Sequence, residues 1–172
     1  LEGDEKKFLA YGQEHLAVVA SDGSSPATRV AASDALDRSV SAPRWGDDSK
    51  AIFATIADDT YVYGVSIPIG GGTVTPVTDK NIVLGPRHSA GPCAVAISGD
   101  DNHPNEVYSA KLVGQKMKFD QLTHQNDHLL AELELGATTQ TVSFTSKDGT
   151  EVHALLTTPP GYVTGTKVPL LL

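Results

Sequence analysis

Two stretches of this 172-residue chain repeat one another, and that repeat limits the available folds more than any other feature. Pro43 to Asp59 reads PRWGDDSKAIFATIADD, and Pro86 to Asp101 reads PRHSAGPCAVAISGDD. Each opens on Pro-Arg, passes through a turn into an apolar strand and ends on Asp-Asp. Each then continues into a tyrosine-bearing strand, TYVYGVSI after the first and NEVYSAKL after the second. Each closes on a threonine turn, PVTDKN and QLTHQN. The offset is 43 residues between Arg44 and Arg87 and 45 between Thr78 and Thr123. A partial copy, LAVVASDGSSPATRV, precedes them and supplies the later strands of one more unit.

A period of about 40 to 50 residues with four short strands per unit is the signature of a propeller blade. The strands themselves are short alternating or apolar runs split by turn residues such as Asp22-Gly23 and Gly70-Gly71-Gly72. Only Asp127 to Leu135 looks helical, and it is short. An immunoglobulin-like sandwich also strings short strands together; the repeat favours the propeller. The expected class is mostly β, with about two and a half four-stranded blades. Repeats bury their cores only against neighbours. Bare apolar blade faces and open sheet edges are therefore expected, and with them self-association.

Composition excludes some functions. Apolar residues make up 40 % and charged residues 20 %, within the globular range. A net charge of −8 argues against nucleic acid as a partner. No apolar run approaches the ~20 residues of a membrane helix. The one cysteine, Cys93, permits no intrachain disulfide and reads as a small buried residue. The compartment is left open.

After the last blade the character changes. Leu122-Thr123, Asn126 and Leu129-Leu130 close it. Then come Phe144-Thr145-Ser146-Lys147-Asp148-Gly149 with Val152, Pro159-Pro160-Gly161-Tyr162, and Lys167-Val168-Pro169 before an apolar run. This order resembles the prolyl oligopeptidase family of serine peptidases, in its acylaminoacyl-peptidase and dipeptidyl-peptidase-like branch. Trp45-Gly46-Asp47-Asp48-Ser49-Lys50 is similar to the family's blade motif. Arg87 to Gly91 departs from it, where an aromatic residue and an Asp-Gly turn are usual.

The resemblance implies the last blades of a propeller at 1–128, a linker at 129–140, and at 141–172 a β-hairpin and the entry strand of a truncated α/β-hydrolase domain. It implies that the oxyanion-hole motif, the Gly-x-Ser-x-Gly elbow and the triad Asp and His lie outside the chain. The chain is then expected to be inactive alone, with no catalytic residue, no metal and no cofactor of its own. It would be the non-catalytic part of an enzyme hydrolysing short peptides, its propeller gating access. Its partner would be the hydrolase domain or a second chain carrying it. The alternative is a TolB-like propeller that binds without catalysis.

Other constellations read as structure. His124 and His128 share the spacing of a zinc helix, but Gln125 stands where the base glutamate would be. Asp58-Asp59 and Asp100-Asp101-Asn102 fall at equivalent points between strands, which favours turn chemistry over calcium. Gly70-Gly71-Gly72 and GYVTGTK at Gly161 lack the phosphate-loop pattern. Trp45 reads as a blade-packing aromatic. Arg44 and Arg87 recur at one repeat position and read as salt-bridge partners or as channel-lining groups that meet peptide carboxylates.

Overall fold

In the computed structural model the chain starts with two small antiparallel pairs. β1 (Glu2–Gly3) pairs with β2 (Glu14–His15), and β3 (Ala17–Val18) with β4 (Thr28–Arg29). The described residues are 2–3, 12–79, 83–90, 93–133 and 136–171; for 2–3, 83–90 and 93 the description is of backbone alone. A four-residue helix, α1 (Ala31–Asp34), follows. Its four residues form no repeating pattern, so the sequence carried no sign of it.

Two antiparallel meanders form the body. The first is β5 (Val40–Trp45), β6 (Ala51–Asp58), β7 (Tyr61–Pro68) and β8 (Thr75–Pro76). The second is β9 (Val83–Ala90), β10 (Cys93–Gly99), β11 (Glu106–Val113) and β12 (Lys116–Gln121). Within each, successive strands pair. Among the described residues the meanders join through a parallel bridge, Val62 to Val83, through the Met117 N–H, which donates to the Val77 carbonyl at 2.7 Å, and through Lys116 Nζ, which donates to the Thr78 carbonyl at 3.4 Å. The fold is mostly β and corresponds to part of a propeller.

The structure explains the repeated Pro-Arg. Ser41 pairs with Thr55 and Arg44 with Phe53, so Ala42-Pro43 together oppose Ala54. In the second meander Leu84 pairs with Ser98 and Arg87 with Ala96, so Gly85-Pro86 oppose Ile97. Each first strand thus carries a β-bulge at the same point. Proline has no N–H to offer a ladder, and a bulge asks for none. Ala42 takes φ 48°, the left-handed conformation that glycine accepts most readily.

The closing threonines are explained as well. The Gly64 N–H donates to Thr78 Oγ1 at 2.8 Å, and the Val77 N–H to the Gly64 carbonyl at 2.9 Å. One unit later the Val107 N–H donates to Thr123 Oγ1 at 2.9 Å, and the Leu122 N–H to the Val107 carbonyl at 2.8 Å. Each hydroxyl continues the ladder where the fourth strand leaves it.

The core lies between the first hairpins and the first full blade. Leu16, Val30, Val40, Ile52, Ile56, Tyr63, Val65 and Ile67 are buried together, with Val18, Leu36 and Val74 against them. Each such side chain stabilises by about 1.5–3 kcal/mol. The second blade has only Ala96 and Ala110 as buried apolar residues among those described, while Val95, Ile97, Leu112 and Val113 are exposed. A blade face is dry only where another blade lies on it.

The polypeptide then forms α2 (Asp127–Glu132) and a two-stranded ribbon, β13 (Thr138–Thr145) with β14 (Glu151–Thr158). The helix is where the sequence pattern put it, and the ribbon turns at Asp148-Gly149 as expected. Gly149 has φ +87°. Asp148 accepts bonds from the Ser146 hydroxyl and the Thr150 N–H, which hold its carboxyl down to about 2. Helix and ribbon both reach into the expected 129–140 linker.

Two expectations are corrected. Trp45 does not pack between blades; it is 52 % exposed on the sheet-edge strand β5. The apolar run from Val168 forms no strand, because no neighbouring backbone offers a ladder; Leu171 is 94 % exposed. Gly99 ends β10 at a tight approach, where an added Cβ would lie 2.7 Å from the His103 carbonyl oxygen. Gly99→Ala is expected to destabilise the β10–β11 turn by about 1–3 kcal/mol, measured by urea denaturation; an unchanged midpoint would count against the turn.

Candidate functional site

The hairpin turns of both blades point to the same end of the sheet, and the ribbon lies against them. The β6–β7 turn runs Asp58-Asp59-Thr60-Tyr61, with Asp59 at φ 56°. The β10–β11 turn closes through Asp100, whose Oδ1 accepts the N–H groups of Asn102 and His103, both at 2.9 Å. These are the Asx turns that short acidic side chains favour. Both acidic pairs thus do turn work.

They do more than turn the chain. Asp58 accepts from Arg38 Nε at 2.7 Å and from the Tyr63 hydroxyl at 3.1 Å. Asp59 Oδ2 lies 3.1 Å from His153 Nδ1 on β14. Asn102 Nδ2 donates to the Ala137 carbonyl at 3.3 Å, just before β13. The two turns therefore fasten the ribbon at two points. Between them opens a cleft of about 420 Å³, lined by Thr60, Tyr61, Asp101, Asn102, Thr138 and Leu155 among others.

Charge in the cleft is arranged by hydrogen bonds. Partial burial pushes the Asp100 carboxyl up, but the bonds from Asn102 and from His103, whose Nδ1 is 2.7 Å away, outweigh it and hold it below the usual range. His153 is raised above its usual value by its hydrogen bond and charge contact with Asp59, with Glu151 3.5 Å from its other nitrogen. The folded state thus binds the His153 proton more tightly than the unfolded chain. The stability it contributes is fully present below about pH 6.5 and is lost as pH rises through the raised value. Asp59→Asn is expected to lower the His153 imidazole midpoint in a proton NMR titration, and an unmoved midpoint would break the pairing.

A second hollow of about 450 Å³ lies beside it, lined by Tyr108, Phe119 and Leu130 among others. Glu106, 7 % exposed, stands in its wall. Its carboxylate accepts the Thr123 hydroxyl, the Asn126 N–H at 3.1 Å and Asn126 Nδ2 at 2.9 Å. The Thr123 bond first, then those from Asn126, hold it below the usual range against its burial. No motif in the sequence singles out Glu106. Its signal was an acidic residue opening a strand at a position the fold buries.

The other sequence candidates scatter. His124 pairs with Asp127 at 3.1 Å and His128 with Glu132 at 3.6 Å, so the two imidazoles serve separate carboxylates. Among the described residues no group of three or more His, Cys, Asp or Glu is placed to hold a metal ion. Gly70-Gly71-Gly72 is the β7–β8 loop, and Gly161 to Lys167 forms two turns. Arg44 is exposed and forms no ion pair among the described residues, which corrects the salt-bridge reading there. The side chains of Arg87 and Cys93 lie outside the description. No helix among the described residues is long and apolar enough to cross a membrane.

The cleft offers acceptors, hydroxyls and apolar wall. That suits recognition. A histidine–carboxylate pair is only part of a Ser-His-Asp set, and no serine stands in a Gly-x-Ser-x-Gly elbow in this sequence.

No protein-family model matches the chain, and no curated protein does. Solved structures do. An acylaminoacyl peptidase in complex with Z-Gly-Gly-Phe-chloromethyl ketone matches with a TM-score of 0.71 at 17 % identity, over 96 % of this chain and 24 % of that one. The isopeptidase AtxE2, in a variant with astexin3-dC4 bound, matches at 0.61 and 13 % identity, over 89 % of this chain and 23 % of its own. Its apo form matches at 0.61 and 12 % identity. The chain thus has the fold of a segment of these solved peptidases and spans about a quarter of the length of those it matches.

Proposed function

We propose that this chain is the non-catalytic, propeller-to-hydrolase segment of a serine peptidase of the prolyl oligopeptidase family, acting on short peptides. One observation carries the reading. The likeness to the acylaminoacyl peptidase runs over 96 % of the chain, so it takes in blades, α2 and ribbon together. A propeller that only binds has no need of a ribbon pinned to its blade turns. The motif order from Leu122 to Lys167 supports the same family. In this reading the bare face of the second blade and the free apolar run after Lys167 meet further blades and the hydrolase sheet. The propeller excludes large folded substrates by its narrow access, a geometric filter that requires no particular side chain here. Left alone, the same surfaces drive self-association.

The test is to capture the native protein with an antibody against the ribbon and treat it with a fluorescent fluorophosphonate. The species carrying this sequence, or a chain bound to it, is expected to label and to release nitroaniline from a short blocked peptide. The 172-residue chain alone, at 18.0 kDa, is expected to do neither. A native species that does not label favours the binding-module alternative.

A further inference from the structure

Alternation along the strands of the second blade sorts its side chains onto two faces. Val95 and Ile97 of β10 stand bare on one. Ladder partners share a face. Ser98 pairs with Glu106, Ala96 with Tyr108, Tyr108 with Gln121 and Ala110 with Phe119. Glu106, Tyr108 and Phe119 therefore lie together on the face opposite Val95 and Ile97. There they share the wall of the hollow of about 450 Å³ with Asp127 and Leu130 of α2 and with Asp100. A concave site of that size holds a small ligand or one long side chain.

The chemistry of the wall is one-sided. Asp100, Glu106 and Asp127 bring three carboxylates, and among the described residues no lysine or arginine lines the hollow. Asp100 has His103 at 2.7 Å, and Asp127 has His124 at 3.1 Å. Glu106 is different. It is 7 % exposed, and its donors, the Thr123 hydroxyl and two N–H groups of Asn126, are neutral. These bonds keep it ionised at neutral pH without cancelling its charge. A buried charge is ordinarily met by an opposite one. Tyr108 and Phe119 stand in the same wall, and the faces of aromatic rings attract cations. Among the described residues no carboxylates and imidazoles are placed together to hold a metal ion. The aromatic and apolar wall matches a cation with a carbon body.

We propose that this hollow binds a primary alkylammonium group, its charge set against Glu106 and its carbon chain against Tyr108, Phe119 and Leu130. The chemistry is the same for a free amine and for a lysine side chain. The site does not depend on the peptidase reading.

The experiment titrates the chain at constant ionic strength with pentylammonium, with 1-pentanol as its neutral analogue, with potassium and with acetyl-lysine-N-methylamide, following amide NMR. Pentylammonium is expected to shift the amides of Glu106, Tyr108 and Asn126 saturably, and to bind about tenfold more tightly than pentanol or potassium. Phe119→Leu keeps apolar bulk but removes the ring, and is expected to weaken binding about three- to tenfold. Glu106→Gln is expected to weaken it about tenfold or more, with circular dichroism unchanged. Should Glu106→Gln not fold, the amine-to-alcohol ratio in the unaltered chain decides together with Phe119→Leu. Equal binding of amine and alcohol, or an unaffected Phe119→Leu, overturns the site. Potassium binding as tightly as pentylammonium overturns the organic ligand. With the site upheld, the lysine derivative binding as tightly as pentylammonium assigns a lysine side chain, and its exclusion assigns a free amine.

Discussion

Ile67→Ala is expected to destabilise the chain by about 2–5 kcal/mol, the cost of deleting a buried aliphatic side chain and leaving a cavity. Ile67 is 0 % exposed, sits opposite Ile52 in the β6–β7 ladder, and belongs to the cluster that joins the first hairpins to the first full blade. Rigid backbone on both sides limits how far the site can collapse. Urea denaturation followed by far-ultraviolet circular dichroism measures the loss. Leu170→Ala is the control, since Leu170 is 70 % exposed and its loss is expected within about 0.5 kcal/mol. Equal effects of the two changes would place the core elsewhere.

Thr78→Val is expected to cost about 1–3 kcal/mol, although it preserves volume and shape. It leaves the Gly64 N–H buried without its acceptor, and Thr78 is only 1 % exposed. The Gly64 amide should then exchange with solvent about ten- to a hundredfold faster. Thr123→Val removes the same acceptor from Val107 and also the hydroxyl that Glu106 holds. Its effect should extend to the amide of Asn126, which the freed carboxylate positions less firmly. Amide exchange by NMR separates the two. If Thr78→Val left Gly64 protected, the hydroxyl would have no part in closing the blade.

These two sites show how much of the protein can be read without coordinates. Threonines at matching places in two repeats were visible as a motif, and so were the paired Pro-Arg and Asp-Asp steps. Their meaning was not visible. Thr78 and Gly64 lie on different strands, and only the hairpin brings hydroxyl to amide. Pro43 and Pro86 gave no hint of a bulge, because a bulge is a relation between two strands. Glu106 carries no motif for the same reason. A glutamate at a strand start looks solvated until the chain returns with Thr123 and Asn126 to surround it. Trp45 erred in the other direction: its apolar bulk suggested burial, but burial depends on which strand lies at the sheet edge.

Interactions between near neighbours in the chain set the local elements. Strand runs, the Asp148-Gly149 turn, the short helix at Asp127 and the repeat length all follow from interactions within a few residues or from simple periodicity. The tertiary structure decided which of those elements meet. It placed the core on one side of the first blade, left Val95 and Ile97 bare on the second, and fastened the ribbon through Asp59 to His153. Such contacts join residues far apart in the chain, and their free energy comes from water excluded and donors satisfied only when the strands are in place.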